Sequence, residues 1–157
     1  MTSTALFTVA LGLQPPWKVA AVAFAPEAGR LDLGVGCAAG SRCVCPHCGA
    51  EPQPGHDTQE REWRHLNFCQ YQADRRAQVP RVRCEAGGKT AQVPVPGARE
   101  GSGFTPLLEA RIVTLAGAMT VRQVAQRLGV SDGRVWRPLD HYVDAARAQE
   151  DLSLIHI

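Results

Sequence analysis

The chain has 157 residues, 45% of them hydrophobic and 6% aromatic, with a net charge of +2. That length holds one ordinary domain or two small ones, and so mild a charge makes no case by itself for a polyanionic partner. No apolar span approaches bilayer length and no cationic leader precedes an apolar segment. The expectation is therefore a cytoplasmic protein with reduced cysteines.

Residues 4–13 are apolar and read as a short helix stopped by Gln14-Pro15-Pro16. Residues 17–24 and 31–35 alternate as strands do, joined by the turn Pro26-Glu27-Ala28-Gly29. Residues 60–66, 69–77 and 79–84 interleave polar and apolar side chains and read as three further short strands in a small antiparallel sheet. Residues 93–103, with Pro94, Pro96, Gly97, Gly101 and Gly103, have the composition of a linker. From Thr105 the period changes. Thr105 can cap a helix with Pro106 at its first position, and Leu108, Ile112, Leu115 and Met119 recur on one face. Thr120 can cap a second helix with a stripe of Val121, Val124, Ala125 and Leu128, ended by Gly129. Ser131 can cap a third, with an inner face of Val135, Leu139, Tyr142 and Val143. The fold class is thus α+β: a small antiparallel zinc-ribbon-like sheet over residues 1–92, the linker 93–103, and a three-helix helix-turn-helix domain over 104–151.

Two constellations carry chemistry. Cys45-Pro46-His47-Cys48-Gly49 presents two thiolates on a tight turn, the usual half of a tetrahedral zinc site. The second half should be a similar turn, and Cys84-Glu85-Ala86-Gly87-Gly88 has its outline, but Gly87 stands where the fourth ligand belongs. Cys45, Cys48 and Cys84 are the candidate ligands. His56, His65, Cys69 and Cys43 remain as completions without the expected spacing, while Cys37 and Cys69 read as small core residues. Disulfides are a poor alternative for six unevenly spaced cysteines without a secretory signal.

The second constellation is Ala125, Gly129 and Val135, in which a small residue admits a close helix, a glycine makes the turn and a valine packs beneath the last helix. In a DNA-binding unit of this kind, Arg134 and Arg137 lie one turn apart on the exposed face with Trp136 beside them. Ser131 and the first helical amides would meet a phosphate, and Arg122 and Arg127 would touch the backbone. A plain helical bundle with a solvated arginine face is the competing reading. Lys18 and Lys89 are the only lysines, and arginine's planar fork suits phosphates and guanine edges, although a GC-rich genome gives the same bias. Pro138 conflicts with the third helix, because an interior proline removes an amide donor at a cost of about 3 kcal/mol. A bent or short recognition helix is expected.

Cys45-Pro46-His47-Cys48-Gly49, Arg64-His65-Leu66, Arg81-Val82-Arg83-Cys84, Val93-Pro94-Val95-Pro96, Gly103-Phe104-Thr105 and Val124-Ala125-Gln126-Arg127-Leu128-Gly129-Val130-Ser131 resemble the N-terminal half of insertion-sequence transposases of the ISL3 type. The resemblance implies zinc on Cys45, Cys48 and Cys84, and double-stranded DNA of the element's terminal repeats on the helices of residues 121–143. It also implies a ribonuclease-H-type catalytic domain beyond this segment, and a full-length homo-oligomer. The chain departs from the family pattern at Gly87, at Gly97, where tryptophan is usual, and at Pro138. Asp140, Asp144, Glu150 and Asp151 crowd one helix and do not stand in for the family's dispersed catalytic acids, so no catalytic residue is expected. The tail Leu152-Ser153-Leu154-Ile155-His156-Ile157 is similar to a translated library-preparation adaptor and reads as a scar, with the natural protein continuing past Asp151. The expected function is a DNA-binding transposase fragment without chemistry of its own. A zinc-ribbon transcriptional regulator, or a decayed remnant, is the alternative.

Overall fold

The computed structural model describes residues 2–38, 41, 43–49, 57–84 and 87–149. His56, Glu150, Asp151 and the tail 152–157 lie outside them. The chain divides after Pro106 into two compact units.

The first unit contains α1 (Ser3–Ala10), β1 (Trp17–Ala25), a 3-10 turn (Pro26–Ala28), β2 (Arg30–Cys37), β3 (Asp57–Arg64), β4 (Gln72–Arg83) and β5 (Thr90–Gln92). Thr2 caps α1 by accepting from the Ala5 N–H. The Val19 N–H donates to Thr8 Oγ1 at 2.9 Å, tying α1 to β1 beside a register shift between Val19 and Ala21. β1 and β2 form the expected hairpin, closed by Gly29 in the left-handed region (φ +64°), where a side chain is strained.

The rest of the sheet corrects the antiparallel expectation. It is mixed, in the order β1-β2-β4-β3 with β5 on β4, and β2 runs parallel to β4 from Arg30↔Gln72 to Val35↔Ala77. Parallel neighbours need a long crossover, and here the chain between β2 and β4 carries both the cysteine knuckle and β3. The two strands read over residues 69–84 are one, β4, running through Pro80. A proline survives where its missing N–H is not needed, and its carbonyl accepts from Val93 N at 3.0 Å.

Alternation sorts the two faces. Leu31, Leu33 and Val35 pair in register with Ala73, Arg75 and Ala77 on the core face. Arg30, Asp32, Glu62, Asp74 and Arg76 form an ion-pair ladder on the other, with Arg30 at 3.0 Å from Asp74 and Arg76 at 3.3 Å from Glu62. The main core joins Trp17, Val19, Val35, Trp63, Val79 and Val82 to Cys43, Cys45 and Cys84.

Residues 93–103 are not a free linker. Val93 and Val95 are buried in that core, and the buried Arg75 guanidinium donates to the carbonyls of Pro96 (2.6 Å) and Gly97 (3.2 Å). The Arg64 N–H donates to Gly103 O and the Thr105 N–H to Arg64 O, both at 2.9 Å, which fixes residues 103–105 beside the end of β3. Composition suggested flexibility. Buried donors, which composition does not display, impose order.

The second unit holds α2 (Pro106–Ala116), α3 (Val121–Leu128) and α4 (Asp132–Gln149). Leu108, Ile112 and Leu115 of α2, Val124 and Ala125 of α3, and Val135 and Pro138 of α4 are buried. Thr120 and Gln123 make a reciprocal capping box. At the other end the N–H groups of Gly129 and Val130 donate to Gln126 O and Ala125 O, with Gly129 at φ +64°, a Schellman closure. Two expectations are corrected, for Val143 and for the length of α4, and one residue passed over in the sequence, Glu109, is placed. Val143 is exposed rather than part of the inner face. Glu109 is buried, with its carboxylate accepting from the Tyr142 hydroxyl at 2.9 Å. α4 is not shortened: it continues through Pro138, whose ring is buried, so apolar packing offsets the lost amide donor.

Candidate metal centre and nucleic-acid interface

The sheet brings the knuckle and the β4–β5 turn together. The Sγ atoms of Cys45, Cys48 and Cys84 all lie within 4.8 Å of one another, and Cys48 Sγ is 3.5 Å from Cys84 Sγ. Three thiolates around a tetrahedral zinc with ~2.3 Å bonds would sit about 3.8 Å apart, so the trio fits a metal with small adjustment. A disulfide would need about 2.05 Å, and none of the three cysteines is in one.

The sequence builds the cluster with two turns of one design. In the first, the Gly49 N–H donates to Cys45 O at 2.9 Å with Gly49 at φ +64°. In the second, the Gly88 N–H donates to Cys84 O at 2.8 Å with Gly88 at the same φ. Each turn curls its backbone around a cysteine. The N–H groups of Cys48 and then His47 donate to the Cys45 sulfur and lower that thiol's pKa, which favours the thiolate a metal requires. The role of Gly88 went unnoticed in the sequence, although the match of Cys45 and Gly49 with Cys84 and Gly88 was legible there.

Among the described residues, the other cysteines and histidines stand apart from the trio. The Cys37 thiol is pushed up to about 11 by burial and by the neighbouring Cys43 thiol, so those two form a separate pair. Cys69 is exposed, not a core residue. His65 is held by Thr105, with Nδ1 2.8 Å from the Thr105 hydroxyl. Burial, and then the Arg75 charge, depress the His65 pKa. His47, between the two knuckle cysteines, is exposed and outside the cluster.

In the second unit, Ser131 just before α4 and Arg134, Trp136 and Arg137 in its N-terminal half are all exposed, with Trp136 at 52%. Arg122 and Arg127 are exposed on α3. Val135 between them is fully buried, so it anchors α4 while its neighbours face solvent. Asp140 and Asp144 are exposed farther along the same helix, as the sequence implied, and do not converge with other carboxylates in a described metal group.

A cysteine-clustered sheet and an Arg-bearing helix pair are the parts from which a zinc ribbon and a helix-turn-helix are made. Residues 41–87 match the zinc-finger of transposase IS204/IS1001/IS1096/IS1165. Residues 93–143 match the helix-turn-helix domain of transposase family ISL3. Both matches are to modules of ISL3-type transposases, and they follow one another along the chain. No curated protein and no solved structure matches it. Both matched modules are of DNA-binding type, and no helix among the described residues is long and apolar enough to cross a membrane.

Proposed function

We propose that this chain grips the terminal repeats of an insertion element as duplex DNA, with α4 as the recognition helix, and that it holds the duplex without cutting it. The observation that carries this reading is the exposed trio Arg134, Trp136 and Arg137 on α4, directly after the Schellman-closed turn and inside the matched helix-turn-helix segment. Arg134 and Arg137 reach base edges or phosphates in the major groove, and Trp136 adds an apolar surface for a thymine methyl. Arg122, Arg127 and Ser131 contact the phosphate backbone. Cys45, Cys48 and Cys84 hold zinc, whose soft-ligand preference suits thiolates, and the metal supplies the cross-link between the two turns.

Binding to a labelled terminal-repeat duplex, followed by anisotropy across a salt series, tests the assignment. Arg134→Ala and Arg137→Ala should each cost about 1–3 kcal/mol if they read bases, or lower the salt slope by about 1 if they contact phosphate. Unchanged affinity and slope in both variants would remove α4 as the recognition helix. Strand scission by the purified chain in magnesium or manganese would overturn the non-cutting half of the reading.

A further inference from the structure

We propose that the metal site of this chain has three protein ligands and keeps its fourth position open to a small external thiolate, in exchange with water. The inference rests on Cys45, Cys48 and Cys84 being metal ligands. Its basis is the likeness of the two turns. Cys45 matches Cys84, and Gly49 matches Gly88, each glycine at φ +64° with its N–H on the cysteine carbonyl. By that match Gly87 is the counterpart of Cys48, so the second turn presents a backbone without a side chain where the first presents a thiolate.

The space is there for one. A Cβ built on Gly87 would lie 4.0 Å from Cys84 Sγ, an ordinary contact and the nearest it would make among the described residues. Among the described residues no fourth His, Cys, Asp or Glu joins the trio. Cys43 sits with Cys37, and His65 with Thr105. The remaining side faces solvent, since both Cys48 and Gly87 are exposed. Zinc in a structural site completes four ligands. Three soft protein donors, an unobstructed approach and a required fourth bond together favour a soft donor from solution. Closed structural sites are inert. This one would exchange.

Cobalt(II) replaces zinc as the optical probe in the full chain, with 2-mercaptoethanol as the external thiolate and the Gly87→Cys variant as the closed reference. The wild-type charge-transfer and d–d bands should shift on adding thiol and converge on the thiol-free spectrum of Gly87→Cys, which itself should not respond. Loss of even an outer-shell partner costs metal sites about 10–100-fold in affinity, so Gly87→Cys should bind cobalt at least about tenfold tighter. No cobalt binding by the wild type, or binding unaffected by Cys45→Ser, overturns the ligand assignment itself. Normal binding with a thiol-insensitive spectrum overturns only the open position. So does a spectrum altered by His56→Ala or Glu85→Gln, which would identify an internal fourth ligand. Should Gly87→Cys fail to fold, the thiol titration of the wild type still decides.

Discussion

The two units reach order by different means. In the helical unit each boundary is written locally: a capping box at Thr120 and Gln123 starts α3, Gly129 ends it, and Ile112, Val124 and Val135 supply a buried seam. In the sheet unit the boundaries are settled at a distance. β2 finds β4 across the knuckle, Arg75 on β4 orders Pro96 and Gly97, and three cysteines from two separated turns converge. Local signals make a module independent, whereas distant ones make it conditional on whatever joins the distant pieces. The sheet unit should therefore depend on metal and the helical unit should not.

Chelation is the strongest way to break that contrast. Structural zinc contributes roughly 10–16 kcal/mol in zinc-finger peptides, comparable with or above the whole stability of a typical domain, about 5–15 kcal/mol. Removing metal, or making Cys45→Ser, should expose the buried Trp17 and Trp63 and red-shift their fluorescence while far-UV helical ellipticity largely persists. Simultaneous loss of both signals would mean that the units are not independent.

A core truncation in the other unit sharpens the same contrast. Ile112 is fully buried, so Ile112→Ala should cost about 2–5 kcal/mol. Thermal melts should show the helical transition falling while the tryptophan transition of the metal-loaded sheet stays in place.

The smallest effect is a pH dependence. The folded pKa of His65 lies below its unfolded value, chiefly through burial, so the unfolded chain takes the proton first. Stability is then complete above an unfolded pKa of about 6.5 and falls as pH drops through it. Metal-saturated wild type should lose more melting temperature on acidification than His65→Gln. Equal losses would leave His65 no part in the acid response.

What could be read from the chain follows the same division. α3, its cap and its closing glycine were legible, because their causes lie within a few residues of one another. The knuckle was legible for the same reason. The parallel β2–β4 pairing was not, since alternation reveals a strand but not its neighbour's direction. Residues 69–77 and 79–84 read as two strands although they form one, β4, and 93–103 reads as a linker until the buried Arg75 is known. Glu109 was passed over because a charge beside an apolar stripe looks solvent-facing. The acceptor role that buries it depends on Tyr142, far along the chain.

The parallel pairing of Arg30 with Gln72 also sets a tempo. A ladder joining such remote residues forms only after a long loop closes, and mixed and β-rich topologies mature far more slowly than helical ones. α2, α3 and α4 need only near-neighbour contacts, so although the sheet leaves the ribosome first, the reading head should finish first and be ready for a duplex while its companion is still assembling.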